Sequence, residues 1–207
     1  MEIVVIAEGL KQNEFHDKGI AEGVKVQFVT SLESAHTSAD AYFYIMAEET
    51  IQENKDAIQQ LNGIVFINAV TTTLDQLPSN CVRINAWPGF ILSKSIEIVA
   101  GDNNKEAASK VLDTMKWEHN FVPDVPGMIT PRTIAMIVNE AYFALGEDVS
   151  SKEDIDTAMK LGTGYPFGPF EWSERIGLKL IHQLLEHLAS QDARYQPAPS
   201  LTKETDQ

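Results

Sequence analysis

The chain has 207 residues, 43% of them hydrophobic, enough for one domain of good size or two small ones. A formal net charge of −14 argues against a nucleic-acid backbone or an anionic membrane surface as the main partner. The one cysteine, Cys81, excludes an internal disulfide and a cysteine-rich zinc site, and no apolar run approaches the roughly 20 residues of a membrane span.

The N-terminus enters a strand-like run, Ile3 to Ala7, with no basic stretch before it, so no secretory leader is expected and a cytoplasmic location is the default. That run is continuously apolar, as in a strand buried on both faces. A dinucleotide-binding fold would continue into G-x-G-x-x-G, whose glycines admit a diphosphate to a helix N-terminus. Here the continuation is Glu8-Gly9-Leu10-Lys11-Gln12-Asn13, with one glycine and an acid.

Val24–Val29 and Ala41–Met46 read as the next strands, separated by about ten residues, Thr30 to Asp40. Glu48 to Leu61 reads as a helix by composition, and Ile64–Ile67 as a strong strand. Alternating strands and helices imply parallel units. Thr73, with Gln76 three residues on, reads as a helix cap. Val82–Pro88 and Ser95–Val99 are further strands, Lys105–Trp117 a helix capped by Asn103 or Asn104, and Glu118–Asp124 a last strand.

Thr133–Leu145 carries Ile134, Ile137, Val138, Ala141 and Leu145 at helical spacing. Ser151, followed by Glu153 and Asp154, reads as an N-cap with acids opposing the positive helix end. Gly162 and Gly164 stop that helix, and Tyr165 to Phe170, with two prolines, form a rigid connector. Glu171–Ile176 can start another helix, which Gly177 interrupts, and Leu178–Ala189 is the last one. Gln191–Gln207, polar and containing Pro197 and Pro199, reads as a mobile tail. His182 and Glu186 lie one helical turn apart, but no third ligand is visible, so no metal site is expected.

The stretch EDIDTAMKLGTGYPFGPFE, residues 153–171, followed by Ile176-Gly177-Leu178, resembles the C-terminal domain of the 3-hydroxyacyl-CoA dehydrogenase family. The resemblance implies a truncated Rossmann-like parallel sheet domain over 1–124, then a small all-α dimerisation domain over 125–192, with 193–207 as tail. It implies a homodimer through the helical domain, NAD as the family's cofactor and an acyl-CoA-like small molecule as ligand. Family members also have a long helical excursion between the second and third strands, which carries CoA contacts, and Thr30–Asp40 is too short to supply it.

The family's Asn-Thr-Ser-Ser-Leu segment is matched by Asn68 to Leu74, where Thr71, Thr72 or Thr73 would replace a substrate-binding hydroxyl; Thr72 is taken with Asn68. The catalytic histidine of the family opens an H-F-F-N-P motif. Counting back from Glu97, which matches the Glu that orients and charges that histidine, places Asn85 there; aligning on Pro88 places Ile84 there. Neither is a base. Val125 to Arg132 resembles P-G-F-I-x-N-R, with Pro131 at the substrate Asn and Arg132 kept. The substrate cleft would therefore be bounded by Asn68, Thr72, Asn85, Glu97 and Arg132. With the glycine motif, the base and the substrate Asn all replaced, the expectation is a dehydrogenase-like binding or regulatory module that holds no NAD. The alternatives are an active NAD-dependent enzyme with a remodelled site, or a structural partner of a true dehydrogenase.

Overall fold

Two-sided burial governs the first half of the molecule. The computed structural model, which describes Met1–Gln207, divides into two units, 1–128 and 129–207. The first is built on strands β1 (Glu2–Ile6), β2 (Lys25–Val29), β3 (Ala41–Tyr44), β4 (Ile64–Asn68), β5 (Cys81–Ile84), β6 (Ser95–Val99) and β7 (Glu118–Phe121). They form one sheet in the order β2-β1-β3-β4-β5-β6-β7. Along β1, Ile3 and Val5 pack on one face with Phe15, Phe43, Phe66 and Trp117. Val4 and Ile6 pack on the other with Tyr42, Tyr44, Ile58 and Ile67. Both faces are covered at the centre of the sheet, which is why β1, β3 and β4 read as nearly unbroken apolar runs.

All pairs are parallel except β5 with β6, which are antiparallel. The Rossmann-like parallel sheet expected from the sequence is present, with this one antiparallel pair inside it. Residues 85–94 join the two strands without a helix, and a parallel return needs a crossover of a dozen or more residues.

Helices α1 (Leu10–Lys18), α2 (Lys55–Gln59) and α3 (Asp102–Thr114) complete the unit. The expected helix over 48–61 is a 3₁₀ turn at Glu48–Thr50 followed by the short α2. α3 starts after Gly101 rather than at an Asn cap; the Asn104 side chain instead donates to the carbonyls of Ser79 and Cys81. It ends where Lys116 takes a positive φ of 59°. Thr73 precedes a 3₁₀ turn over Leu74–Gln76, and its hydroxyl accepts from the Gln76 side chain (3.2 Å) rather than from a backbone N–H.

The second unit contains α4 (Thr130–Gly146), α5 (Lys152–Thr163), α6 (Pro169–Ile176), α7 (Leu178–Ala189) and α8 (Pro199–Thr205). α6, α7 and α8 all pack on α4. The expected tail over 193–207 is corrected. Ala193–Tyr195 is a 3₁₀ turn, Pro199 opens α8, and Tyr195, Ala198 and Leu201 are buried. Asn139 of α4 holds the approach, donating to Gln196 O (2.9 Å) and accepting from Ala198 N (2.8 Å). Lys152 and Tyr142 then bind the Glu204 carboxylate at 2.7 and 2.9 Å. No helix is long and apolar enough to cross a membrane.

Candidate functional site

The sheet order turns at β1, with β2 on one side and β3 on the other. In open α/β sheets, ligands bind beyond the carboxyl ends of the strands at such a point. Ile6, Tyr44, Ile67 and Arg83 lie level along that edge, and the loops beyond them build the candidate site.

After β1, Gly9 sits at φ +51° and precedes α1, whose first residue, Leu10, is 63% exposed. The Gln12 side chain reaches back and donates to Ala7 O at 2.5 Å, across the turn. Lys11, the second residue of α1, lies in the field of Glu14, Glu48 and Glu49. Burial lowers its ammonium below the usual lysine range, and those three carboxylates oppose the shift.

After β3, Glu48 projects its carboxylate onto the loop that follows β4. Val70 N donates to Oε2 (2.9 Å), Thr71 N to both oxygens (2.9 and 3.1 Å) and Thr72 N to Oε1 (2.5 Å). The same loop is gripped from its carbonyl side. Arg83, with no exposed surface, donates from Nε to Ala69 O (3.0 Å) and from Nη2 to Val70 O (2.9 Å) and Val125 O (3.3 Å). Its Nη1 pairs with Asp124, whose carboxylate also accepts from Leu74 N at 3.1 Å. Burial lowers the guanidinium pKa, and the hydrogen bond and charge of Asp124 act against that shift.

The residues expected from sequence occupy this edge in different ways. Asn68 is buried and braces backbone: it donates to Met46 O (3.1 Å) and accepts from Ala86 N (3.2 Å). Thr72 contributes its N–H to Glu48. Asn85 and Glu97 face each other across the antiparallel pair. Ile84 pairs with Ile98, and the next step is Asn85 N donating to Glu97 O at 3.3 Å. Directly opposed residues of such a pair share a face. The Asn85 side chain is buried and accepts from Trp87 N at 3.3 Å. Arg132 belongs to the second unit, in the first turn of α4, where its guanidinium lies 4.9 Å from the centre of the Tyr195 ring. Pro131 is buried in that same first turn, where a missing N–H costs nothing.

Two residues that matter here were missed in the sequence. Arg83 left a readable signal, a charge inside the apolar run Cys81-Val82-Arg83-Ile84. Glu48 left none, since an acid after a strand has the look of a solvated loop residue. No group of three or more His, Cys, Asp or Glu side chains is placed to hold a metal.

Comparison with known proteins follows the same division. Residues 127–206 match the model of the 3-hydroxyacyl-CoA dehydrogenase C-terminal domain. The chain is 32% identical over 157 residues to a 3-hydroxyadipyl-CoA dehydrogenase of Escherichia coli K12, covering 73% of this chain and 33% of that protein. A probable 3-hydroxybutyryl-CoA dehydrogenase of Bacillus subtilis is 26% identical over 95% of this chain and 74% of its own length. The crystal structure of (S)-3-hydroxybutyryl-CoA dehydrogenase from Ralstonia eutropha superposes with a TM-score of 0.68 at 22% identity, over 86% of this chain and 69% of that one, and so shares the fold. The chain thus spans about a third of its E. coli relative. The matched helical unit, with relatives whose similarity extends across the sheet, shows that the chain belongs to the 3-hydroxyacyl-CoA dehydrogenase family.

Proposed function

We propose that this 3-hydroxyacyl-CoA dehydrogenase-like chain acts as a binding or regulatory module and does not transfer hydride. The observation that carries the reading is the Asn85–Glu97 pair. Removing a proton from a 3-hydroxyl needs a group that titrates near neutrality. The residue opposite Glu97 is an amide, and its oxygen is already engaged by Trp87 N. Loss of a general base alone costs about 10²–10⁴-fold in rate.

The β1–α1 turn supports the same reading for the family's NAD. A diphosphate is held by glycine backbone at a helix N-terminus with positive potential. This turn has one glycine, the acid Glu8, and the Gln12 side chain bridging it to Ala7 O. Those residues do not fit a dinucleotide. An acyl-CoA-like small molecule remains the ligand class suggested by the names of the relatives. We also assign the helical unit, 129–207, to formation of a homodimer.

Titration with NADH, read by tryptophan quenching, tests the central reading. No saturable change is expected up to millimolar NADH, and a micromolar dissociation constant overturns it. Acetoacetyl-CoA with NADH at high protein concentration should give no turnover. Turnover that disappears in Glu97→Gln would establish the remodelled enzyme instead.

A further inference from the structure

The loop after β4 is held from both sides by opposite charges, and the arrangement is specific to two peptide units. The first joins Ala69 to Val70: Arg83 Nε takes its carbonyl at 3.0 Å, and its N–H points to the Glu48 carboxylate at 2.9 Å. The second joins Val70 to Thr71: Arg83 Nη2 takes its carbonyl at 2.9 Å, and its N–H reaches both Glu48 oxygens. A cation on the carbonyl and an anion on the N–H polarise the same peptide in the same sense, which strengthens each hydrogen bond. Gly127 N adds a second donor to Val70 O at 2.8 Å. The next N–H along, that of Thr72, completes the cradle at 2.5 Å.

Three successive N–H groups directed at one point form an anion-binding concavity. What holds the carbonyl side of the loop is the buried Arg83, which reaches it from β5 through hydrogen bonds of its own, with its charge held by Asp124 as well as by Glu48. We infer that the Val70–Thr72 amides are a preformed seat for a carboxylate-bearing small molecule, and that Glu48 is its resident internal ligand, which such a molecule displaces. Glu48 suits that part: it lies in a short 3₁₀ turn, only partly buried, rather than in a packed helix. The inference concerns binding alone and does not depend on whether the chain transfers hydride.

A tethered carboxylate competes at high effective concentration, so an external one must be tested with Glu48 removed. The full chain is prepared as wild type, Glu48→Ala and Glu48→Gln. Sodium formate is titrated against each, with sodium chloride at matched ionic strength as control. In Glu48→Ala, formate is expected to raise the lowered melting temperature more than chloride does. It should also shift the Val70, Thr71 and Thr72 amide resonances saturably at concentrations that leave the wild type unmoved. If Glu48→Ala does not fold, Glu48→Gln keeps an acceptor on the amides; formate should then move the same three resonances at lower concentration than in wild type. Equal effects of formate and chloride, or amide resonances that stay fixed in the folded variants, overturn the inference.

Discussion

Asp156 explains why the most recognisable stretch of this sequence is so constrained. From α5 its carboxylate accepts from Phe170 N (2.8 Å) and Glu171 N (3.1 Å), which are orphan donors in the first turn of α6. Gly168 is the N-cap residue and has no side chain to do this. A Cβ there would fall on the Asp156 carboxylate and Cα, so Gly168→Ala should cost about 1–3 kcal/mol as overpacking. Glu171 closes the arrangement, accepting from Gly168 N at 2.9 Å and pairing with Lys160. The hydrogen bond from Lys160, and then that from Gly168 N, hold the Glu171 carboxyl below its ordinary value of 4.5. A carboxyl depressed by folding adds stability above its unfolded pKa, and that stability is lost as pH falls through the folded one. The contribution is therefore complete above about pH 4.5 and fades below it. Urea denaturation of wild type and Glu171→Gln between pH 6 and pH 3 checks this. The wild type is expected to be the more stable at pH 6, with the two curves converging toward pH 3. A gap that stays constant with pH would mean that Glu171 acts through packing alone.

At the scale of elements, the C-terminal helix is the sharpest departure from the sequence reading. Pro197 and Pro199 among polar residues have the composition of a tail, yet Pro199 is the first residue of α8, a position suited to a residue without a donor N–H. One apolar side chain anchors the helix: Leu201 is fully buried. Leu201→Ala is expected to destabilise by about 2–5 kcal/mol, read from chemical denaturation, and to free α8 for early hydrogen exchange. A change below about 0.5 kcal/mol, the range of exposed positions, would return residues 193–207 to the status of a tail. The central strands β1, β3 and β4 were legible because burial on both faces leaves few polar positions to confuse the pattern. The helix from Leu178 to Ala189 was legible in full, since its buried side, Ile181, Leu184, Leu185 and Leu188, keeps helical spacing. α1 was not legible because it buries only Glu14 and Phe15. Asn85 and Glu97 could be paired by counting residues, but the antiparallel turn that opposes them could not. Glu48 was invisible because its partners are backbone N–H groups 22 to 24 residues away, and backbone carries no sequence signal.

The whole molecule divides its apolar surface unevenly. The helical unit leaves Ile129, Val149, Leu161 and Tyr165 exposed, Leu161 at 82% and Val149 at 67%. Leu161 follows the family-matching Lys160 on α5, a helix whose only buried residue is Asp156. A unit of this size buries a modest share of its chain, so an added interface is the ordinary route to further stability. A second copy of the same unit is a partner present at equal concentration, and two-fold association is the commonest form among soluble oligomers. The homodimer assigned above should therefore give a light-scattering mass of twice the 23.0 kDa chain. Leu161→Glu would place like charges across a two-fold contact in a chain already at −14, and is expected to shift the species toward monomer. If the mass is that of one chain at tens of micromolar, the homodimer is rejected. If the mass doubles and Leu161→Glu leaves it doubled, the dimer stands but its contact lies on another face of the helical unit.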